Sequence, residues 1–163
     1  MQYNITDFLF NDGMKRNIST DINVKELNFG NNNYQIDFIH IDVDITNLGY
    51  KKINLKGVIK GTLKIPCDRC MEEVDYNLET NFSKDIEFDG DEKIEFIDGY
   101  NLDLEKFALD EIIIHLPMKV LCSDTCKGIC NQCGTNLNKG TCNCDNSDID
   151  PRLTVFKDLF KEF

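Results

Sequence analysis

Eight cysteines set in close pairs constrain this 163-residue chain more than any other feature. Cys67 and Cys70 form the C-x-x-C of IPCDRCMEEV. Cys122, Cys126, Cys130, Cys133, Cys142 and Cys144 crowd the stretch LCSDTCKGICNQCGTNLNKGTCNC. Eight thiols make two complete four-cysteine sites, and the count predicts two structural zinc ions. A disulfide framework would account for the same count only in an oxidising compartment. The opening MQYNITDFLFNDGMKRN has no charged n-region, sustained apolar run or small-residue cleavage site. No stretch approaches the roughly 20 apolar residues of a membrane span. The expected setting is therefore cytoplasmic, with reduced thiols and no membrane partner. Iron is the open alternative, since four thiolates also hold iron–sulfur centres.

The pairing follows from economy. Cys130 and Cys133, followed by Gly134 and then, after a turn at Asn138-Lys139-Gly140, by Cys142 and Cys144, close one site within 15 residues. Gly134 suits a sharp turn, with its amide free to face a sulfur. Cys67, Cys70, Cys122 and Cys126 are then left for a second site that clips together two segments far apart in the chain. The swap that joins Cys67 and Cys70 to Cys142 and Cys144 stays open as a less economical arrangement.

The first hundred residues read as strands. Apolar residues alternate in YQIDFIHIDVDITNL (Ile36, Phe38, Ile41, Val43, Ile45), with a slip near His40. The period continues through KINLKGVIKGTLKIP and EVDYNLETNFSKDIEF. The first C-x-x-C thus falls at a hairpin tip. Asp103 predicts a helix cap, Leu104, Phe107, Ala108, Leu109, Ile112, Ile113 and Leu116 an apolar face, and Pro117 a stop. Asp150-Pro151 opens a last helix with Leu153, Phe156, Phe160 and Phe163 on one stripe. The fold class expected is α+β: a curved antiparallel sheet, a packing helix, a C-terminal zinc-knuckle module and a terminal helix. The expected division is 1–117 for the β-rich domain, 118–145 for the cysteine-rich module and 150–163 for the terminal helix.

Net charge is −11. That argues against a general nucleic-acid coat, because phosphate neutralisation dominates such binding. RNA contact has to be local, and Arg69, Lys119, Lys127, Lys139 and Arg152 are the candidate RNA or partner contacts. The acidic run from Glu87 to Glu111 reads as a solvated face or a dock for a basic protein. There is no Gly-rich phosphate loop and no nucleophile–base constellation, so neither an enzyme nor a small-molecule substrate is expected. His115 reads as a capping or packed side chain at a helix end.

These residues resemble a known family. PCDRCMEEV is similar to its C-x-R-C signature. DEIIIHLPMKVLCSDTCKGICNQCGTNLNKGTCNC with DIDPRLTVFKDLF resembles the C-terminal block of the bacterial YceD family, the large ribosomal RNA subunit accumulation proteins. The resemblance implies a small cytosolic protein that supports accumulation of large-subunit ribosomal RNA. It implies metal-ligand roles for Cys67, Cys70, Cys122, Cys126, Cys130, Cys133, Cys142 and Cys144. Members that lack the second cluster favour the first four as an independent set. The partner implied is ribosomal RNA or a basic ribosomal protein in a pre-large-subunit particle. A zinc-thiol redox sensor or chaperone, built on Cys67-Asp68-Arg69-Cys70, and a zinc-ribbon transcription adaptor are the alternatives.

Overall fold

The computed structural model describes residues 2–30, 32–88 and 94–144. They form two compact units. The first comprises residues up to Ile65 together with Glu73–Val120. The second comprises Pro66–Glu72 and the described residues from Leu121.

The first unit is built on three long neighbouring strands. β4 runs Asn32–Gly49, β5 Lys52–Pro66 and β6 Glu73–Glu87; β2 (Lys15–Asp21) and β3 (Glu26–Phe29) both pair with β4. β2, β3 and β5 lie antiparallel to β4. On the outer face of β5 and β6, Lys52 meets Glu87, Asn54 meets Asp85, Lys60 meets Glu79 and Thr62 meets Asn77. Each step along one strand is matched by a step back along the other, as an antiparallel pair requires. A second small sheet joins β1 (Gln2–Asn4), β8 (Asn101–Asp103) and β7 (Ile97–Asp98), in that order.

Alternation chooses the core, because successive side chains point to opposite faces of a strand. Ile39, Ile41, Val43 and Ile45 of β4 and Ile53, Leu55, Ile59 and Leu63 of β5 are buried on one face. β4 pairs irregularly with β5 at two places, and the one near His40 lies between Ile36 and Phe38. The extra residue, Asp37, turns Phe38 to the outer face, where it is 53% exposed. Phe38 is therefore not part of the apolar row expected from the alternation, and His40 sits in a regular outward position opposite Lys60.

The packing helix α2 spans Leu104–His115 and packs against β6 and β1. Asp103 caps it, its carboxylate accepting from the amides of Glu105 and Lys106. Phe107 meets Phe82 and Phe96 edge-on, with ring centroids 5.0 and 5.1 Å apart. Burying each such ring contributes roughly 1.5–3 kcal/mol. Gly57 makes room for this stack: a Cβ there would lie 2.9 Å from the Phe82 ring and collide with the Asp42 carbonyl. His115 ends the helix by donating from Nδ1 to the Glu111 carbonyl at 2.8 Å. Glu111 is not part of a solvated acidic face: it is buried and pairs with Lys84 at 3.6 Å.

One short helix, α1 (Thr6–Leu9), has no counterpart in the strand pattern of this region. Its end is tied down by buried Asn47, whose amide donates to the carbonyls of Phe8, Leu9 and Asn11. The expected terminal helix, with its phenylalanine stripe, and Arg152 lie outside the described residues. Among the described residues no helix is long and apolar enough to cross a membrane.

Candidate metal centre

β5 and β6 leave the sheet at Pro66 and return at Glu73, so the first C-x-x-C forms a loop at a hairpin tip. The Cys67 amide donates to the Glu72 carbonyl at 2.8 Å and the Met71 amide to the Cys67 carbonyl at 2.9 Å, with Met71 in the left-handed region at φ +62°. This tight loop turns both thiols to one side. The other two thiols of the group come from the chain after Leu121, where the Cys126 amide closes a turn onto the Ser123 carbonyl at 3.1 Å.

The eight cysteines fall into two groups, Cys67, Cys70, Cys122, Cys126 and Cys130, Cys133, Cys142, Cys144, each with its sulfurs within 4.8 Å of one another. This is the economical pairing, and the swapped one is not formed. Cys67 and Cys126 stand 3.8 Å apart, sulfur to sulfur, and Cys70 and Cys122 3.5 Å. These separations are far beyond a disulfide bond. They match the edge of a thiolate tetrahedron around an ion at about 2.3 Å from each sulfur, which is about 3.8 Å. Both groups are thus positioned to hold a metal ion. Four protein ligands complete a tetrahedral shell and leave no position for a reacting water.

Protons are shared unequally within each group. Burial pushes the Cys67 thiol up, but the amides of Arg69, Cys122 and Cys70 outweigh it and bring the thiol down to about 6. A hydrogen bond from Asn138 lowers Cys126. Hydrogen bonds with Cys126 and Cys70, then burial, raise Cys122 to about 12. In the second group the Thr135 hydroxyl, 3.1 Å from the Cys133 sulfur, and the Thr135 amide bring Cys133 to about 6, while its bond to Cys133 and burial raise Cys144 to about 12. Ionised and protonated thiols side by side are what a metal-free thiolate cluster demands. A bound cation removes the conflict by stabilising all four anions together.

The backbone between the groups is closely ordered. Ile129 pairs with Asn136 as an isolated bridge, the Cys130 amide donates to the Thr135 carbonyl, and the Leu137 amide donates to the Gly128 carbonyl, both at 2.9 Å. Gly134 is left-handed at φ +72°, as the sharp turn requires. Its amide donates to the Cys130 carbonyl at 2.9 Å rather than facing a sulfur, because the turn closes on the backbone first. Asn138, within the second cysteine segment, links the two groups. Its side-chain amide donates to the Cys126 sulfur at 3.3 Å, and its carbonyl oxygen accepts from the Lys127 amide at 2.7 Å. Such outer contacts orient ligands and tune a metal site. The sequence marks Asn138 only as part of a turn and does not mark Thr135; their position inside the cysteine spacing is the signal that points to them as outer contacts.

The cations expected to face a partner divide. Arg69 is exposed and donates from Nη1 to the Cys126 carbonyl at 2.9 Å. Lys139 pairs with Glu72 across the unit. Lys127 is exposed in the second unit, and Lys119 is exposed in the first.

A family model described as "Large ribosomal RNA subunit accumulation protein YceD" matches residues 55–160. The "Large ribosomal RNA subunit accumulation protein YCED homolog 1, chloroplastic" of Arabidopsis thaliana is 24% identical over 146 residues, covering 69% of this chain and 45% of that protein. The protein of the same name from Zea mays is 25% identical over 157 residues, covering 74% of this chain and 53% of that protein. "Uncharacterized protein YlbN" of Bacillus subtilis is 25% identical over 121 residues, covering 69% of each chain. The chain spans about half the length of the plant relatives it matches. No solved structure matches it. The family match runs from β5 through both thiol groups, and the chain belongs to the YceD family, the large ribosomal RNA subunit accumulation proteins.

Proposed function

We propose that this protein is a non-enzymatic cytoplasmic factor that supports accumulation and assembly of large-subunit ribosomal RNA. The observation that carries the reading is the extent of the family match, which takes in both four-thiol groups. Two zinc ions, one in each group, act structurally, since closed thiolate sites supply folding energy rather than an open reaction position. The protein acts on pre-large-subunit particles, through ribosomal RNA or a basic ribosomal protein, and takes no small-molecule substrate. It is organised as a β-rich domain, a zinc module and a terminal helix with the boundaries given above. Arg69, Lys119, Lys127, Lys139 and Arg152 are the contact residues in this reading, and Arg69 and Lys139 also brace the zinc module.

The test is a deletion strain. Large-subunit ribosomal RNA should fall relative to small-subunit RNA, and the intact gene should restore it. Normal ratios across growth temperatures would overturn the reading. A second reading, a zinc-thiol redox sensor, is favoured by one exposed thiol in each group, Cys122 and Cys133. Mild peroxide separates the two: a sensor releases metal before the fold is lost, whereas a structural factor retains it.

A further inference from the structure

The far end of the first unit's sheet carries a surface that the metal module does not explain. β4 and β5 are joined by the two-residue turn Tyr50-Lys51, between the paired residues Gly49 and Lys52. Both turn residues have positive φ, +51° and +56°. A mirror-image hairpin turn requires that geometry, and Asn-Gly or Asp-Gly is the usual choice for it. Bulky L residues adopt it rarely. Nothing in the packing accounts for a tyrosine here, since Tyr50 is 95% exposed.

The loop 10–14 lies against the neck of this hairpin. The Gly13 amide donates to the Asn47 carbonyl at 3.1 Å, and the Asn47 amide to the Met14 carbonyl at 2.9 Å. The loop adds Phe10, 79% exposed, and Met14, while the hairpin adds Leu48, 52% exposed. Residues 10–16 and 48–52 also hold four exposed cations, Lys15, Arg16, Lys51 and Lys52, against one acid, Asp12. Lys52 pairs with Glu87 at 3.0 Å. The rest of the chain is strongly acidic, so this local excess of positive charge stands out against a net −11.

Exposed rings flanked by cations fit one class of ligand. Unpaired bases stack on aromatic faces, and the phosphates between them meet lysine and arginine. We propose that the end of the sheet formed by Phe10, Lys15, Arg16, Tyr50 and Lys51 binds single-stranded RNA, with Tyr50 as a stacking platform. The inference rests on the proposed ribosomal role only for the source of the RNA; the surface itself is argued from exposure, charge and turn geometry. A protein partner would use the rings equally well, but Lys15, Arg16 and Lys51 beside them favour a polyanion.

The test is fluorescence anisotropy of the full chain with a fluorescein-labelled single-stranded RNA of about 12 nucleotides at low salt. Tyr50→Asn removes the ring but suits the left-handed turn. It should weaken binding about 5- to 150-fold while raising the melting temperature by about 2–4 °C. Tyr50→Phe should bind as the parent does. Lys15→Gln with Arg16→Gln should lower the slope of log affinity against log salt by about 1.4. Lys60→Gln, on β5 away from this turn, should leave binding unchanged. The proposal is overturned if the parent chain does not bind the RNA, or if Tyr50→Asn binds as tightly as the parent. It is also overturned if Tyr50→Asn abolishes self-association or capture of a ribosomal protein while RNA binding persists. RNA binding at this tip in a chain whose deletion leaves ribosomal RNA normal would keep the site and remove the ribosomal reading. The converse result would keep the role and remove the site.

Discussion

The guanidinium of Arg69 donates to the carbonyl of Cys126 at 2.9 Å. The cation inside the first C-x-x-C therefore holds the loop that brings in a thiol from the other segment. The contact is reciprocated on the backbone, since the Ile129 amide donates to the Arg69 carbonyl at 3.1 Å. Arg69→Met should keep the thiol count but loosen this clasp. Loss of an outer-shell partner typically costs about 10- to 100-fold in metal affinity. Competition with a coloured chelator should show one metal, not both, leaving faster. Equal release of both metals, or of neither, would contradict the placement of Arg69.

Grouping of the thiols makes a separate prediction. Cys67→Ser and Cys122→Ser should each release the same single metal, and combining them should release no more. Cys142→Ser should release the other. Metal analysis of the parent chain should give about two zinc ions per chain, four ligands to each. A Cys67→Ser variant that loses the metal held by Cys142 would break the grouping.

Much of this was legible in the sequence, for identifiable reasons. Alternation wrote out β4, β5 and β6, because one face is buried and a one-residue slip would expose it. Counting thiols gave the two groups, because a closed site needs four ligands. The bulge at Asp37 was legible only as a slip near His40: the apolar period changes parity between Phe38 and Ile41, but nothing local says which residue is the inserted one. The short helix α1 was also missed, being held by Asn47, a residue 36 or more positions away. Arg69 and Lys139 are the exposed cations that the sequence suggests, but nothing local marks their partners, Cys126 and Glu72. Asn138 reads in the sequence only as part of a turn, because a hydrogen bond to a sulfur 12 residues away has no period.

Two core positions should prove intolerant. Asn47→Ala removes the donor to three carbonyls at the end of α1 and should destabilise by about 1–3 kcal/mol, the cost of leaving buried acceptors unpaired. Gly57→Ala places a methyl against the Asp42 carbonyl and the Phe82 ring, and should cost about 1–3 kcal/mol or more as the strands move apart. Pairing Gly57→Ala with Phe82→Leu should recover part of the loss, because the ring is one of the two obstacles. Urea unfolding of the metal-loaded chain measures all three. A Gly57→Ala chain as stable as the parent would mean that β4 and β5 separate freely there.

Asp110 should behave in the opposite way, as a group the fold would rather keep neutral. Burial pushes its carboxyl above the ordinary value of 3.8, and the neighbouring Glu95 and Glu111 add to the rise against Lys84 and Lys106. A carboxyl with a raised native value binds its proton more tightly in the folded chain than in the unfolded one. Below pH 3.8 both states hold the proton and there is no penalty. As pH climbs from there through the native value, the unfolded chain ionises first and stability falls. Asp110→Asn removes this loss. The variant should match the parent in acid, become the more stable of the two as pH rises through that window, and keep a constant lead at neutral pH. Melting temperatures taken across the acid range test the sign. A variant less stable than the parent at neutral pH would mean that attraction to Lys84 and Lys106 outweighs burial and the two glutamates, reversing the assignment.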